Sequence, residues 1–128
     1  MKQHFAPPGH STVSPYLLVT SASDTLAFLT HTFEAVELQR VTGKDGSIQH
    51  AEVRIGDSVI MMGERPSACL PASTHVYVPN VDETYSRALA AGAESLSEPR
   101  DLPYGDRSAG VRDPQGNLWW LGTHLRGA

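Results

Sequence analysis

The chain has 128 residues, of which 40% are hydrophobic and 19% charged, and it carries a formal net charge of −4 at pH 7. This length and composition predict one folded domain with a packed core rather than a disordered chain. The acidic balance argues against nucleic acids and anionic membranes as partners, because both attract positively charged surfaces. Small molecules and other proteins remain as candidate partners.

Cys69 is the only cysteine of the sequence, so no disulfide bond can form within the chain, which suits a reducing cytoplasm. Its nearest basic neighbour in the sequence is Arg65, whereas a reactive thiol needs a more positive setting. Residues 1–12 are rich in Pro, Gly, Ser and Thr and predict a flexible N-terminal tail instead of a signal peptide. No apolar run approaches the length of a membrane span. We therefore expect a soluble, cytoplasmic protein.

The first half of the chain has the pattern of a βαβββ unit. A strand is predicted over residues 13–19, and an amphipathic helix follows over 24–34, with Ser21 and Ser23 as candidate caps. Two glycine-containing turns then separate three further predicted strands. These strands are 37–41, 48–55 and 59–62.

The second half restarts the same order after a proline-bounded linker at 66–71. A strand at 74–78 precedes a helix with Asp82 as the expected N-cap and an end at Gly92. The remaining predicted elements are a short strand at 95–97, a loop at 98–105, and strands at 108–112 and 118–123. A shift of 59 residues carries 19–26 onto 78–85, so the chain is two copies of one module that cannot bury its apolar face alone.

The sequence thus predicts an α+β fold of paired βαβββ modules within a single domain over 13–128. Module 1 covers about 13–64 and module 2 about 72–124. With the helices on one face, the other face of each sheet is left uncovered. Two such sheets side by side would curl into a half-open barrel, and we expect its concave groove between the modules to hold the ligand.

Strand alternation indicates which side chains line that groove, because neighbouring residues point to opposite faces. The hairpin strands contribute Met61 and Trp120, or Met62 and Trp119 if the phase is shifted by one residue. The candidate ligand-binding residues are Tyr16, His50, Glu52, Arg54, Met61, His75, Tyr77, Arg112 and Trp120. The aromatic members either stack on a flat ligand or simply fill a narrow barrel, and Arg54 or Arg112 is available for an anionic group.

Some polar residues have a purely structural alternative. Glu52 could pair with Arg54 or Arg112 across the sheet, His50 could close a hairpin end, and His75 could hydrogen-bond to a neighbour. Asp106-Arg107 is either an anchor for a polar ligand or an ion pair that orders a loop. The segment 113–117 is a turn by its composition and needs no functional role.

Six segments carry a recognisable pattern through their order and spacing: PYLLV at 15–19, HAEVRIGDS at 50–58, YVPNVD at 77–82, ALAAGA at 88–93, YGDR at 104–107 and DPQGNLWW at 113–120. Over about residues 13–124 the chain resembles the vicinal oxygen chelate superfamily, which includes glyoxalase I, bleomycin- and fosfomycin-resistance proteins and extradiol dioxygenases. The similarity is greatest to its PhnB-like branch. The resemblance implies a homodimer, often with modules paired across chains.

The resemblance also implies a divalent metal ion held by His, Gln or Glu side chains at four positions. In this sequence they fall on Ser14, Met61, Ser73 and Trp120, none of which suits such an ion. We therefore expect no cofactor and a metal-independent small-molecule binding protein. The alternative is a metal-dependent isomerase, lyase or dioxygenase with a relocated site made of His50, Glu52 and His75. Whether any reaction is catalysed stays open.

Overall fold

A computed structural model describes residues 5–67 and 70–125, so Cys69 lies outside the described residues. The elements, in chain order, are β1 (Tyr16–Val19), α1 (Ala22–Phe33), β2 (Val36–Thr42), β3 (Ile48–Ile55), β4 (Ser58–Glu64), β5 (Ser73–Tyr77), α2 (Val81–Ala90), β6 (Glu94–Asp101), β7 (Asp106–Arg112) and β8 (Leu118–His124). Neither helix of this described part is long and apolar enough to cross a membrane.

The strands form two four-stranded sheets of the same topology. Their orders are β1-β4-β3-β2 and β5-β8-β7-β6, and in each sheet the first and last strands of the module pair in parallel while the other neighbours are antiparallel. This arrangement confirms the predicted α+β fold of two βαβββ modules. The described strands form no closed barrel, and no strand of one sheet pairs with a strand of the other.

The helix caps agree in part with the sequence prediction. The Ser21 side chain accepts a hydrogen bond from the backbone N–H of Asp24 and so caps α1, as expected. The predicted cap Asp82 is wrong, because Asn80 has the extended backbone of a cap and accepts from the N–H of Glu83. Asp82 instead lies in the first turn of α2, where its carboxylate binds Arg107.

The predicted loop at 98–105 is wrong for its first four residues, because β6 continues to Asp101. A register shift between Ser97 and Arg100 interrupts the pairing with β7 at Pro99. Proline is tolerated in an edge strand at such a bulge, where its missing N–H breaks no ladder bond. The strand therefore passes through a residue that normally predicts its end.

The two modules share one hydrophobic core built from the helix-facing sides of both sheets. Phe33 at the end of α1 packs against Trp119 of β8, with ring centroids 5.4 Å apart. The helices contact each other, and the Arg87 guanidinium on α2 donates to the carbonyl of Thr32 on α1. Because the covered sides of the sheets are buried together, their opposite faces lie on the outside of the chain.

The turn between β7 and β8 is organised by Asp113, which is 4% exposed. One carboxylate oxygen accepts from the backbone N–H groups of Gln115 and Asn117, at 2.7 and 3.1 Å. The other accepts from the indole N–H of Trp119 at 2.8 Å. This carboxylate therefore fixes both the turn and the largest fully buried side chain of the core.

We predict that Asp113→Ala lowers the free energy of unfolding by about 3 kcal/mol, because it leaves buried N–H donors without an acceptor. Urea denaturation measures the loss. Asp57→Ala in the corresponding turn of module 1 is the control, since within the described residues this exposed carboxylate accepts only from the hydroxyl of Ser58. It should change stability by less than about 0.5 kcal/mol. Equal losses of unfolding free energy in the two variants would contradict the role assigned to the Asp113 carboxylate.

Candidate ligand-binding site

The uncovered faces of the two sheets carry the candidate residues. Met62 and Trp119 are completely buried on the helix-facing sides of their sheets. Met61 and Trp120 therefore point to the uncovered sides, which is the first of the two alternatives that the sequence left open. We call the uncovered side of the first sheet the module-1 face, with Tyr16, His50, Glu52, Arg54 and Met61. The module-2 face carries Ser73, His75, Tyr77, Asp106, Arg112, Trp120 and His124.

The module-1 face is organised around the carboxylate of Glu52, which is 8% exposed. One of its oxygens lies 2.7 Å from Nε2 of His50, and the other lies 2.8 Å from Nε2 of His10. The His50 Nδ1 atom in turn lies 3.2 Å from the hydroxyl of Tyr16. The hydrogen bond from His50, followed by that from His10, holds the pKa of the Glu52 carboxyl below its usual value.

Two interpretations of this face are corrected by its contacts. In the described residues Glu52 pairs with His10 and His50 and not with Arg54 or Arg112. His10, expected as a surface residue of a loose tail, is bonded to Glu52, and its side chain is only 16% exposed. The sequence could not indicate this contact, because 42 residues separate the two partners.

The module-2 face is a row of aromatic rings laid over glycines. A Cβ atom added at Gly110 would lie 2.4 Å from the ring of Trp120, so the indole rests directly on the backbone of β7. The Trp120 N–H donates to the hydroxyl of Ser73 at 2.8 Å. His75 lies similarly close to Gly122 and meets the Tyr77 ring edge-on at a centroid distance of 4.6 Å.

Asp106 anchors the far end of this row and is 7% exposed. Its carboxylate accepts from the Tyr77 hydroxyl at 2.8 Å and from Nδ1 of His124 at 3.0 Å. These two bonds, that from His124 first, lower the pKa of the Asp106 carboxyl. The same carboxylate raises the pKa of the Tyr77 phenol, because the bonded proton is harder to remove.

The sequence did not indicate His124, and it offered Asp106 only as part of a pair with Arg107, as an anchor for a polar ligand or as a loop-ordering ion pair. Asp106 was expected to pair with Arg107, but that guanidinium bonds Asp82 and Asp101 at 2.9 Å each. Asp106 and His124 are direct partners across β7 and β8. Extending the alternation rule from Trp120 to the ends of both strands would have placed them on this face.

The candidate arginines lie at equivalent places in the two modules. Arg54 is the last residue but one of β3, and Arg112 is the last residue of β7. Both are exposed. Within residues 5–67 and 70–125, neither side chain makes an ion pair. Each could therefore bind an anionic group without losing a partner in the chain.

The residues at the four family metal positions do not fit a divalent ion. Ser73 already accepts the indole N–H of Trp120, and Met61 offers only a thioether. The relocated set is not assembled within the chain either: His50 and Glu52 meet on the module-1 face, whereas His75 lies on the module-2 face. No group of three His, Cys, Asp or Glu side chains in the described residues could hold a metal ion.

The hydrogen-bonded residues of the two faces form two distinct sets. The hydrogen bonds of the module-1 face connect β1, β3 and the segment before β1, and those of the module-2 face connect β5, β7 and β8. In the described part of the chain no hydrogen bond joins the two sets. The structure thus assembles the predicted residues into two groups, one polar and one aromatic.

Comparison with known proteins agrees with this architecture. Residues 4–121 match the family model of the glyoxalase/bleomycin resistance protein/dioxygenase superfamily. An uncharacterized protein of Mycobacterium bovis is 36% identical over 127 residues, covering 89% of this chain and 84% of its own length.

Solved structures of the same fold include TioX from Micromonospora sp. ML1, which has a TM-score of 0.76 and 28% identity and covers 90% of this chain and 99% of its own. A PhnB protein from Bacillus cereus has a TM-score of 0.73 and 16% identity, over 88% and 99% of the two chains. The fosfomycin resistance protein FosX from Listeria monocytogenes, solved with Mn(II) and sulfate, has a TM-score of 0.71 and 23% identity, over 91% and 93%. The latter two likenesses concern the fold alone.

We predict that Gly110→Ala displaces the Trp120 ring and breaks its bond to Ser73, because the added Cβ occupies the place of the indole. Acrylamide quenching should then reach Trp120 more readily, while buried Trp119 stays protected. We expect a loss of about 1–3 kcal/mol in stability from the overpacking. Ser108→Ala, on the same strand and face, is the control and should leave the quenching unchanged. Identical quenching in Gly110→Ala and the parent would contradict the packing.

Proposed function

The chain belongs to the glyoxalase/bleomycin resistance protein/dioxygenase superfamily, and we propose that it is a metal-independent binding protein for a small aromatic or amphiphilic organic molecule. The observation that carries the proposal is the aromatic row of the module-2 face. Hydrogen bonds at the ring edges hold Trp120 and Tyr77, and Tyr77 remains 63% exposed. Immobilised, open aromatic faces favour stacking on a planar ligand.

The alternative role of these rings, filling a narrow barrel, receives little support from their exposure. Tyr16 is 41% exposed, and His75 also lies open to solvent. Burying such surface is favourable, and a ligand that covers it gains the corresponding transfer free energy. Tyr16, His75, Tyr77 and Trp120 would contact the ligand ring, and Met61 would pack against its edge.

We further propose that a second copy of the chain completes the groove. In the described part of a single chain, no hydrogen bond joins the polar residues of the module-1 face to the aromatic residues of the module-2 face. In a homodimer with modules paired across chains, the module-1 face of one copy would oppose the module-2 face of its partner. His50, Glu52 and an arginine could then bind polar groups of a molecule stacked on the aromatic row.

Metal independence is supported by the donor chemistry. The four family positions carry hydroxyl, thioether and indole groups, which are poor ligands for hard or borderline ions. FosX was solved with Mn(II), so this fold can hold a divalent metal ion. The lack of suitable metal ligands is therefore due to the residues of this chain and not to the fold. A reducing cytoplasm would suit the lone Cys69, and no nucleic acid or membrane is expected as a partner.

We predict that a planar aromatic ligand found in a broad metabolite and antibiotic screen quenches Trp120 fluorescence and raises the melting temperature. Trp120→Ala should weaken binding about tenfold or more through the lost stacking surface. Tyr85→Ala is a matched aromatic control, because Tyr85 lies on α2 and bonds Ser95 away from both faces. Its variant should bind like the parent.

The same titration distinguishes the rival metal-dependent enzyme. Protein purified without a metal-affinity tag and treated with chelator should bind with unchanged affinity, and elemental analysis should find no stoichiometric transition metal. Metal near one ion per chain that is lost in His75→Ala would overturn the proposal. Absence of any thermal shift or quenching at millimolar ligand would also count against it.

The cross-chain groove predicts a specific complementation. Tyr16→Ala on the module-1 face and Trp120→Ala on the module-2 face should each weaken binding at both sites of a homodimer. In a co-expressed heterodimer of the two variants, one groove would contain both changes and the other neither. We therefore expect about half of the parent binding capacity to return, measured by titration of the purified heterodimer.

Two results would contradict this assembly. Sedimentation that finds only monomer at micromolar concentration would remove the dimer. A heterodimer without any site of parent affinity would show that each groove is formed within one chain.

A further inference from the structure

The segment ahead of β1 contacts the module-1 face through a partly buried pair of His10 and Glu52. His10 and Glu52 contact each other at 2.8 Å, with 16% and 11% of their side chains exposed. A turn in which the backbone N–H of His10 donates to the carbonyl of Pro7 shapes the segment. Because Glu52 bonds His50 through its other oxygen, the segment lies over the polar centre of this face.

The contacts of His10 suit its charged form. Its Nε2 faces the Glu52 carboxylate, and its Nδ1 faces the carbonyl of Pro8 at 3.4 Å. Both partners are acceptors, and only an imidazolium has a proton on each nitrogen to donate. His50 differs, since it lies between the Tyr16 hydroxyl and the Glu52 carboxylate, and a neutral ring satisfies both with one N–H and one lone pair.

We propose that residues 7–13 form a pH-dependent strap, latched by His10 on Glu52, which covers the polar centre of the module-1 face and releases it in alkaline solution. We call this segment the strap. Its closure limits access to Glu52 and His50, whatever molecule the face receives. The inference does not depend on the identity or existence of the proposed ligand.

The direction of the pH effect follows from the two partners. The hydrogen bond to Glu52 raises the pKa of His10 above its ordinary value of 6.5, so the latch is fully formed below that value and is lost as the pH rises through the raised pKa. The pKa of Glu52 is lowered from 4.5, so its contribution is present above 4.5 and is lost as the pH falls through the lowered pKa. The latch is therefore strongest between about pH 4.5 and 6.5.

No other charged group of the described part competes for His10. The groups bonded to one another beside His10 are Glu52 and His50 of β3 and the phenol of Tyr16 on β1. Ser11 and Val13 of the strap also line a cavity with Glu34, Asp57, His75 and Arg87, none of which pairs with His10 in the described residues. The neighbouring side chain of β4 is the thioether of Met61. Arg65, beyond the end of β4, donates to the carbonyl of Glu64.

Amide hydrogen exchange of a peptide covering residues 5–14 tests the latch, with rates corrected for intrinsic exchange at each pH. We expect at least about tenfold stronger protection at pH 6 than at pH 8.5 in the parent protein, equivalent to a latch free energy of about 1.4 kcal/mol. His10→Ala should lose protection at both values. His31→Ala, which changes an exposed histidine on α1, is the control and should behave like the parent.

The covering role has its own readout. At fixed pH 6.5, diethyl pyrocarbonate should modify His50 several-fold faster in His10→Ala than in the parent, with His31 as the internal reference. Equal protection of the peptide at both pH values, or in His10→Ala and the parent, would overturn the latch. Unchanged reactivity of His50 would overturn the covering role. Circular dichroism of His10→Ala verifies that the fold is retained, as expected for a residue outside the core.

Discussion

The burial of Trp119 is the constraint on which the arrangement of both modules depends. Its ring is fully buried, packs against Phe33 of the other module, and has its N–H fixed by Asp113. Because successive side chains of a strand point to opposite faces, this burial turns Trp120 outward. One core side chain thus joins the modules and sets the phase of the strand that carries the aromatic row.

The two modules use equivalent positions for different chemistry. In module 1, Glu52 is paired in register with Met61, and in module 2 the corresponding pair is Gly110 and Trp120. The missing side chain at Gly110 gives the indole room to lie on the sheet. The repeat therefore conserves the backbone topology within the chain, while one face becomes polar and the other aromatic.

Each face contains one carboxylate that is nearly inaccessible to water, and its own chain supplies the hydrogen bonds. Glu52 has two histidine partners, and Asp106 has a tyrosine and a histidine. Burying a carboxylate without donors would cost several kcal/mol, so these contacts are a condition for placing acids on the sheets at all. Three of these four partners are histidines, and the fourth is the phenol of Tyr77.

The sequence by itself determined the repeat, both helices and most strand bounds, because these follow from local alternation of apolar and polar residues. It left two phases open for the hairpin strands, and the burial of Met62 and Trp119 decided that Met61 and Trp120 point outward. It did not determine the continuation of β6 past Pro99, which depends on a bulge against β7. Nor did it determine the contact of His10 with Glu52, the partners of Asp106, or the grouping of the site residues into two hydrogen-bonded sets. Those features join residues distant in the chain, and only the packing of the helix-facing sides into one core decides which of them meet.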